Sequence, residues 1–259
     1  MLRRTPRTPR TPRSLAGANP ARSPLLLTLG VVLATVVSYP LGLLLGGGVL
    51  LPVLNTAAAY AAMAILLRRG ERRMAVGLML AWAATVAVCA TVTFAAWPAD
   101  PGPLVLNGPQ YRDEMFHWIR TGEGREGRPA EFIPQHVVHL AAFVALSFAT
   151  ASAASMMLGA ALMNYMGFYV ASLHRAGAGA GAVLLLGWQP WAICRVAAFV
   201  VLGVVLAEPL LARLWPYEYP GLRASRPYLI AAAAGIAADW ILKALLAPHW
   251  RAGLAAALP

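Results

Sequence analysis

Residues 136–173 read HVVHLAAFVALSFATASAASMMLGAALMNYMGFYVASL and contain no Asp, Glu, Lys or Arg across 38 positions. As one helix at 1.5 Å per residue the stretch would run about 57 Å. The hydrocarbon core of a bilayer is about 30 Å thick. The stretch is too long for one crossing and slightly short for two joined by a turn. A long tilted or broken helix that crosses once satisfies it, and so does a tight helical hairpin. The first gives this chain six membrane spans, the second seven.

The rest of the sequence places that stretch in a membrane protein. Of 259 residues, 59% are hydrophobic and 12% charged, and mean hydropathy is +0.64. Soluble domains carry about 25% charged residues. Ala, Leu, Val and Gly supply most of the apolar content, and the apolar runs do not alternate with polar residues as the strands of a membrane β-barrel do. The expected fold is therefore all-α, a polytopic transmembrane helical bundle. Span 1 is expected over about 25–45, span 2 over 49–67 after the turn Gly46-Gly47-Gly48, and span 3 over 74–96, closed by Trp97-Pro98. A further apolar segment runs over 183–214, broken near Gly187-Trp188-Gln189-Pro190, and a last span over 227–246. The two cysteines, Cys89 and Cys194, both fall in apolar spans and read as small buried hydrophobes.

The formal net charge of +11 is concentrated, not spread. Arg3, Arg4, Arg7, Arg10, Arg13 and Arg22 precede span 1, in a tail over 1–23 where Thr-Pro-Arg repeats three times. Prolines that frequent forbid a helix, and the tail holds little apolar surface, so it is read as disordered. It contacts anionic lipid headgroups more readily than nucleic acid. The turn Arg68-Arg69-Gly70-Glu71-Arg72-Arg73 is also strongly positive, whereas the long loop 98–135 is net negative. The positive-inside rule then puts the tail in the cytoplasm and the loop outside, in a multi-pass protein expected in a bacterial inner membrane. The domain expectation is the tail, then one transmembrane domain over 24–259. Charges after residue 173 do not discriminate six spans from seven. Six is the preferred count.

Within the loop, Tyr111, Met115, Trp118 and Ile119 fall on one helical face, with Arg112, Asp113 and Arg120 on the other. This spacing predicts an interfacial amphipathic helix, with Asn107 in the capping position and Pro109 in the first turn. Glu123 to Arg128 reads as solvated loop.

Small residues at every fourth position suit close helix packing in lipid, where burial of apolar surface gives no drive. Three such stripes occur: Gly30, Ala34, Ser38, Gly42 and Gly46; Ser147, Ala151, Ser155 and Gly159; and Ala231, Gly235 and Asp239. They suit a compact bundle, self-association or a place in a membrane complex.

Ionisable or strongly polar side chains inside spans are candidate functional groups. Asp239 and Lys243 lie four apart on one face, acid before base, which suits an ion pair. Arg195 reads either as interfacial or as facing a cavity where it binds an anionic headgroup. Asn164 either bridges helices or lines a pathway. His136 and His139 share a face at a helix start, and with His117 and Glu131 in the preceding loop they form a candidate zinc set. The chain has no Gly-x-Ser-x-Gly, no phosphate-binding loop, no paired-Glu intramembrane protease motif and no Cys-x-x-Cys. No catalytic residue is assigned.

An outer amphipathic segment leads into the small-residue stretch Ser147 to Gly159. There follow the polar break Asn164-Tyr165-Met166-Gly167, a Gly-rich link and a Pro-containing helix from Trp188. Over residues 110–212 that order resembles the stage II sporulation protein M family of multi-span membrane proteins. The resemblance implies a role in a membrane-remodelling complex and carries no catalytic residue. Three functional readings result: a non-enzymatic subunit or scaffold of an envelope complex, a small-solute or lipid permease, and a metal-dependent membrane enzyme.

Overall fold

The structure is a computed structural model that describes residues 22–259, apart from 216, 218 and 220. The tail expected to be disordered therefore lies outside the described residues up to residue 21. Among the described residues there are nine α-helices: α1 Arg22–Leu44, α2 Leu50–Arg68, α3 Arg72–Ala96, α4 Gly108–Thr121, α5 Pro129–Thr150, α6 Ala153–Arg175, α7 Ala180–Leu186, α8 Pro190–Leu214 and α9 Gly221–Ala257. Seven of them, all but α4 and α7, are long and apolar enough to cross a membrane.

The preferred count of six thus gives way to seven, and the stretch 136–173 is the reason. It is a helical hairpin. Ala151 and Ser152 take left-handed backbone angles, φ 49° and 67°. The Ser147 hydroxyl donates to Ser155 Oγ at 2.8 Å, although eight residues of straight helix would separate their backbones by about 12 Å. The length that seemed lacking comes from the flanks: α5 starts at Pro129, inside the expected loop, and α6 runs on to Arg175. The turn is buried, with Ala151 2% and Ser152 0% exposed, so its polar groups need partners within the protein. Ser152 N–H donates to Ser147 O at 2.9 Å, Ser152 Oγ to Gly203 O on α8 at 2.7 Å, and Tyr60 Oη to Ala151 O at 3.1 Å. The expected break at 164–167 is uninterrupted helix.

Contacts between elements sort the loops to two ends. At one end, Gly48 N–H donates to Leu104 O at 2.7 Å, Arg175 reaches the carbonyls of Phe94 and Trp97, and Trp250 Nε1–H donates to Leu186 O at 2.8 Å. This is the loop end, which carries α4 and α7. At the opposite end Arg72 grips Glu208 through Nε and Nη2 and donates from Nη1 to Ala224 O at 2.9 Å, and Arg68 lies over Trp215. The amphipathic helix α4 forms as expected. Its buried residues Met115, Trp118 and Ile119 pack on Tyr169, Leu173 and Trp191 and cap the bundle. Asn107 occupies the capping position with φ 60° and makes no side-chain cap bond.

Two of the small-residue stripes serve contacts inside this chain. A Cβ on Gly42 would meet Leu51 Cδ1 at 2.7 Å, and one on Gly235 would meet Ala198 Cβ at 2.9 Å. These positions let α1 approach α2 and α8 approach α9. Gly30 and Gly159 face open space.

Candidate functional site

Five ionisable side chains converge near the loop end. Helix α5 carries His136 in its second turn. The break at Gln189-Pro190 starts α8 so that Arg195 follows one and a half turns later. Helix α9 places Asp239 and Lys243 on one face, and a 3-10 turn over Arg125–Gly127 hangs Glu126 into the same region. His136 Nδ1 lies 3.0 Å from Asp239 Oδ2, and Arg195 Nη1 lies 3.7 Å from that same oxygen. Arg195 Nη1 also contacts His136 Nε2. Lys243 Nζ pairs with Glu126 Oε2 at 2.8 Å and stands 4.5 Å from the centre of the Phe132 ring.

The i, i+4 pair expected between Asp239 and Lys243 is not made: among the described residues each takes its partner from another element. The helix spacing does put both on one face, but the cations and anions brought in by α8, α5 and the 3-10 turn come closer. The hydrogen bonds assign the proton on His136. A carboxylate can only accept, so Nδ1 donates to Asp239. A guanidinium can only donate, and Arg195 Nη1 lies against both ring nitrogens, nearer Nε2 than Nδ1, so with Nδ1 given to Asp239 the acceptor is Nε2. His136 is therefore neutral, and the five groups sum to zero charge.

Burial makes that balance necessary. Asp239 and Lys243 are each 1% exposed, and a buried charge without a partner is strongly destabilising. Asp239 Oδ1 is buried and has no hydrogen-bond partner among the described residues. Glu126 sits outside the spans: burial pushes its carboxyl up, but the Lys243 charge and hydrogen bond outweigh this and hold it below the usual carboxylate value of 4.5. Burial raises the Tyr111 hydroxyl well above 10.0, which keeps it a neutral donor.

Beside the cluster lies a cavity of about 90 Å³ between α5, α6 and α8. A buried water needs at least about 10–15 Å³ of such space, so several waters fit, or part of a larger ligand. Its walls are apolar: Trp82, Phe143, Met156, Met163, Phe199 and Val200. Its polar members are Tyr111, Glu126, Gln135, His136, His139, Tyr165 and Arg195. Arg195 keeps 24% of its side chain exposed, and among the described residues all its hydrogen bonds and ion pairs use Nη1. Towards the loop side a second hollow of about 240 Å³ is lined by Glu114, His117, Arg125 and Glu131 and shares Tyr111 and Glu126 with the first.

Of the four intramembrane candidates, the structure brings together Arg195, Asp239 and Lys243. Asn164 stands apart in a hydrogen-bonded bridge. Its Nδ2 donates to Asn55 Oδ1 at 2.8 Å, Tyr39 donates to its Oδ1 at 2.7 Å, and Asn55 Nδ2 donates to Ser38 Oγ at 2.7 Å. That chain ties α6 to α1 and α2. The three candidate zinc ligands are dispersed. His136 is engaged by Asp239 and Arg195, His139 lines the cavity, and His117 lines the hollow. Among the described residues no three His, Cys, Asp or Glu side chains converge to hold a metal ion.

Sequence reasoning missed Glu126, which its Gly- and Arg-rich surroundings marked as solvated loop. The one available signal was the burial of Lys243, which requires an acid from somewhere. Comparison with protein-family models, with curated proteins and with solved structures finds no match to this chain.

Proposed function

We propose that this multi-pass membrane protein is a lipid-handling permease that takes up an anionic amphiphile, headgroup at Arg195 and apolar chain along the cavity wall. One observation carries the reading. Arg195, an arginine one and a half turns into a membrane-crossing helix, is pinned through Nη1 by His136 and Asp239 while the rest of its fork borders an apolar cavity. Arginine's fork matches phosphate, sulfonate and carboxylate geometry. The scaffold reading is weaker, because two of the stripe glycines, Gly42 and Gly235, are used within the chain. The resemblance over 110–212 adds no residue to either reading.

The orientation belongs to the same proposal. Arg68, Arg69, Arg72, Arg73, Arg213, Arg223 and Arg226 belong to the end opposite the acidic loop. That bias supports a cytoplasmic N-terminus in a bacterial inner membrane, with the basic tail on anionic headgroups. The site then opens in the outer half of the bilayer.

Gly159 provides the test. It lines the cavity, is helical, and a Cβ there would meet nothing within 4 Å. Gly159→Phe should fill the cavity and weaken binding of octanesulfonate to the purified protein at least about tenfold, equivalent to 1.4 kcal/mol. Gly77→Phe, at an exposed and equally open helical position, should leave binding unchanged. Equal binding by both variants sinks the proposal.

A further inference from the structure

The cluster contains its own means of staying neutral when an anion arrives. Arg195 and Lys243 balance Asp239 and Glu126, and His136 is the uncharged fifth member. An anionic headgroup on Arg195 takes the set to a net charge of −1. With Asp239 and Lys243 almost fully buried, that excess is costly unless a positive charge accompanies it.

His136 is faced by Asp239 and Lys243 from α9, Arg195 from α8 and Glu126 from the 3-10 turn. His139 on its own helix and Tyr111 and Tyr165 from α4 and α6 line the same cavity. Arg195 and Lys243 already carry their protons. Protonating Asp239 or Glu126 would strip a buried cation of its partner. The tyrosines are neutral and stay so. His139 has no carboxylate partner among the described residues to hold an added charge. His136 is left. Its Nδ1 faces Asp239 Oδ2, and Arg195 Nη1 lies against both ring nitrogens, closest to Nε2. When an anion draws the guanidinium towards itself, Nε2 becomes free to gain a proton. The imidazolium then lies between Asp239 and the incoming anion and hydrogen-bonds to both.

We infer that His136 is a proton-binding site coupled to anion binding: each anionic headgroup admitted at Arg195 is accompanied by one proton taken from water onto His136 Nε2. The ligand is thus recognised as an electrically neutral pair, anion plus proton. The inference rests on the amphiphile reading of the cavity, and its test separates the two.

The probe is octanesulfonate, a fixed monoanion that does not itself titrate near neutral pH, bound to the full chain in a neutral maltoside detergent. Methanesulfonate supplies the anion without the chain, and octanol the chain without the charge. Calorimetric titration near pH 7 in two buffers of different ionisation heat reads proton uptake directly on the unaltered protein. One proton per bound sulfonate is expected, with affinity falling up to about tenfold per pH unit on the alkaline side. His136→Gln should bind without proton uptake and without that pH dependence, and His249→Gln, at an exposed position away from the cavity, should keep both. Octanesulfonate binding with no uptake in the unaltered protein, or uptake undiminished in His136→Gln, overturns the proton site and leaves the amphiphile reading intact. Octanol binding as tightly as octanesulfonate, or methanesulfonate binding as tightly, overturns the paired recognition of charge and chain. No binding of octanesulfonate defeats both readings.

Discussion

The Lys243–Glu126 pair shows how differently two ends of one salt bridge are situated. Lys243 Nζ is enclosed by the bundle and the Phe132 ring, with 1% of its side chain exposed, whereas Glu126 hangs from a loop turn and retains 18%. Removing the acid strands a buried ammonium. Removing the base leaves a carboxylate whose turn can swing it to water. Breaking a buried pair from one side costs about 3–5 kcal/mol, and Glu126→Gln should approach that range while Lys243→Met costs clearly less. Thermal unfolding in detergent checks the order; equal losses would mean Glu126 is as trapped as Lys243. The pH dependence has a definite sign. Glu126 has a depressed native pKa, so its contribution is present above the ordinary glutamate value of 4.5 and is lost as pH falls below it, through the lower native value. The acid limb of the stability profile should flatten in Glu126→Gln.

At the scale of elements, the α5–α6 hairpin determines the architecture with neither Gly nor Pro at its turn. Left-handed angles at Ala151 and Ser152 are unfavourable for residues with a Cβ. Hydrogen bonds from Ser152 N–H and Oγ and from Tyr60 Oη offset that strain. Ser152→Ala removes the donor to Gly203 O and leaves that carbonyl with its helical bond alone, which should destabilise by about 0.5–1.5 kcal/mol. A melting temperature unchanged in Ser152→Ala would show that the turn is held by packing alone. Helix α4 teaches a related lesson. Its amphipathic pattern announced the helix, but a Met/Trp/Ile face suits lipid and protein equally. The aromatic residues of α6 and α8 decide that protein covers it.

For the whole molecule, a path through all seven candidate spans among the described residues places the chain's two ends on opposite sides of the membrane, where six would place them together. Under the orientation proposed above, a cysteine appended after Pro259 should react with an impermeant thiol reagent added outside intact cells, and one placed before Leu2 should react only after lysis. Reaction of both from the same side contradicts the seven-helix path. The seven-span path groups Arg213, Arg223 and Arg226 with Arg68, Arg69, Arg72 and Arg73, opposite the acidic loop, and leaves Arg175 and Arg251 on the loop side.

By itself the sequence determined that this is a helical membrane bundle, where most helices begin and end, and that Arg195, Asp239 and Lys243 are out of place in lipid. Those conclusions follow from local composition and spacing, because a bilayer imposes length and apolarity on each span separately. Only the tertiary structure decided the span count, the partners of each buried charge and the separation of Asn164 from the rest. Those depend on contacts between residues far apart in the chain: Glu126 to Lys243, His136 to Asp239, Ser152 to Gly203. Spacing along one helix brings Asp239 and Lys243 to the same face. It cannot say which groups from α5, α8 and a loop will meet them there.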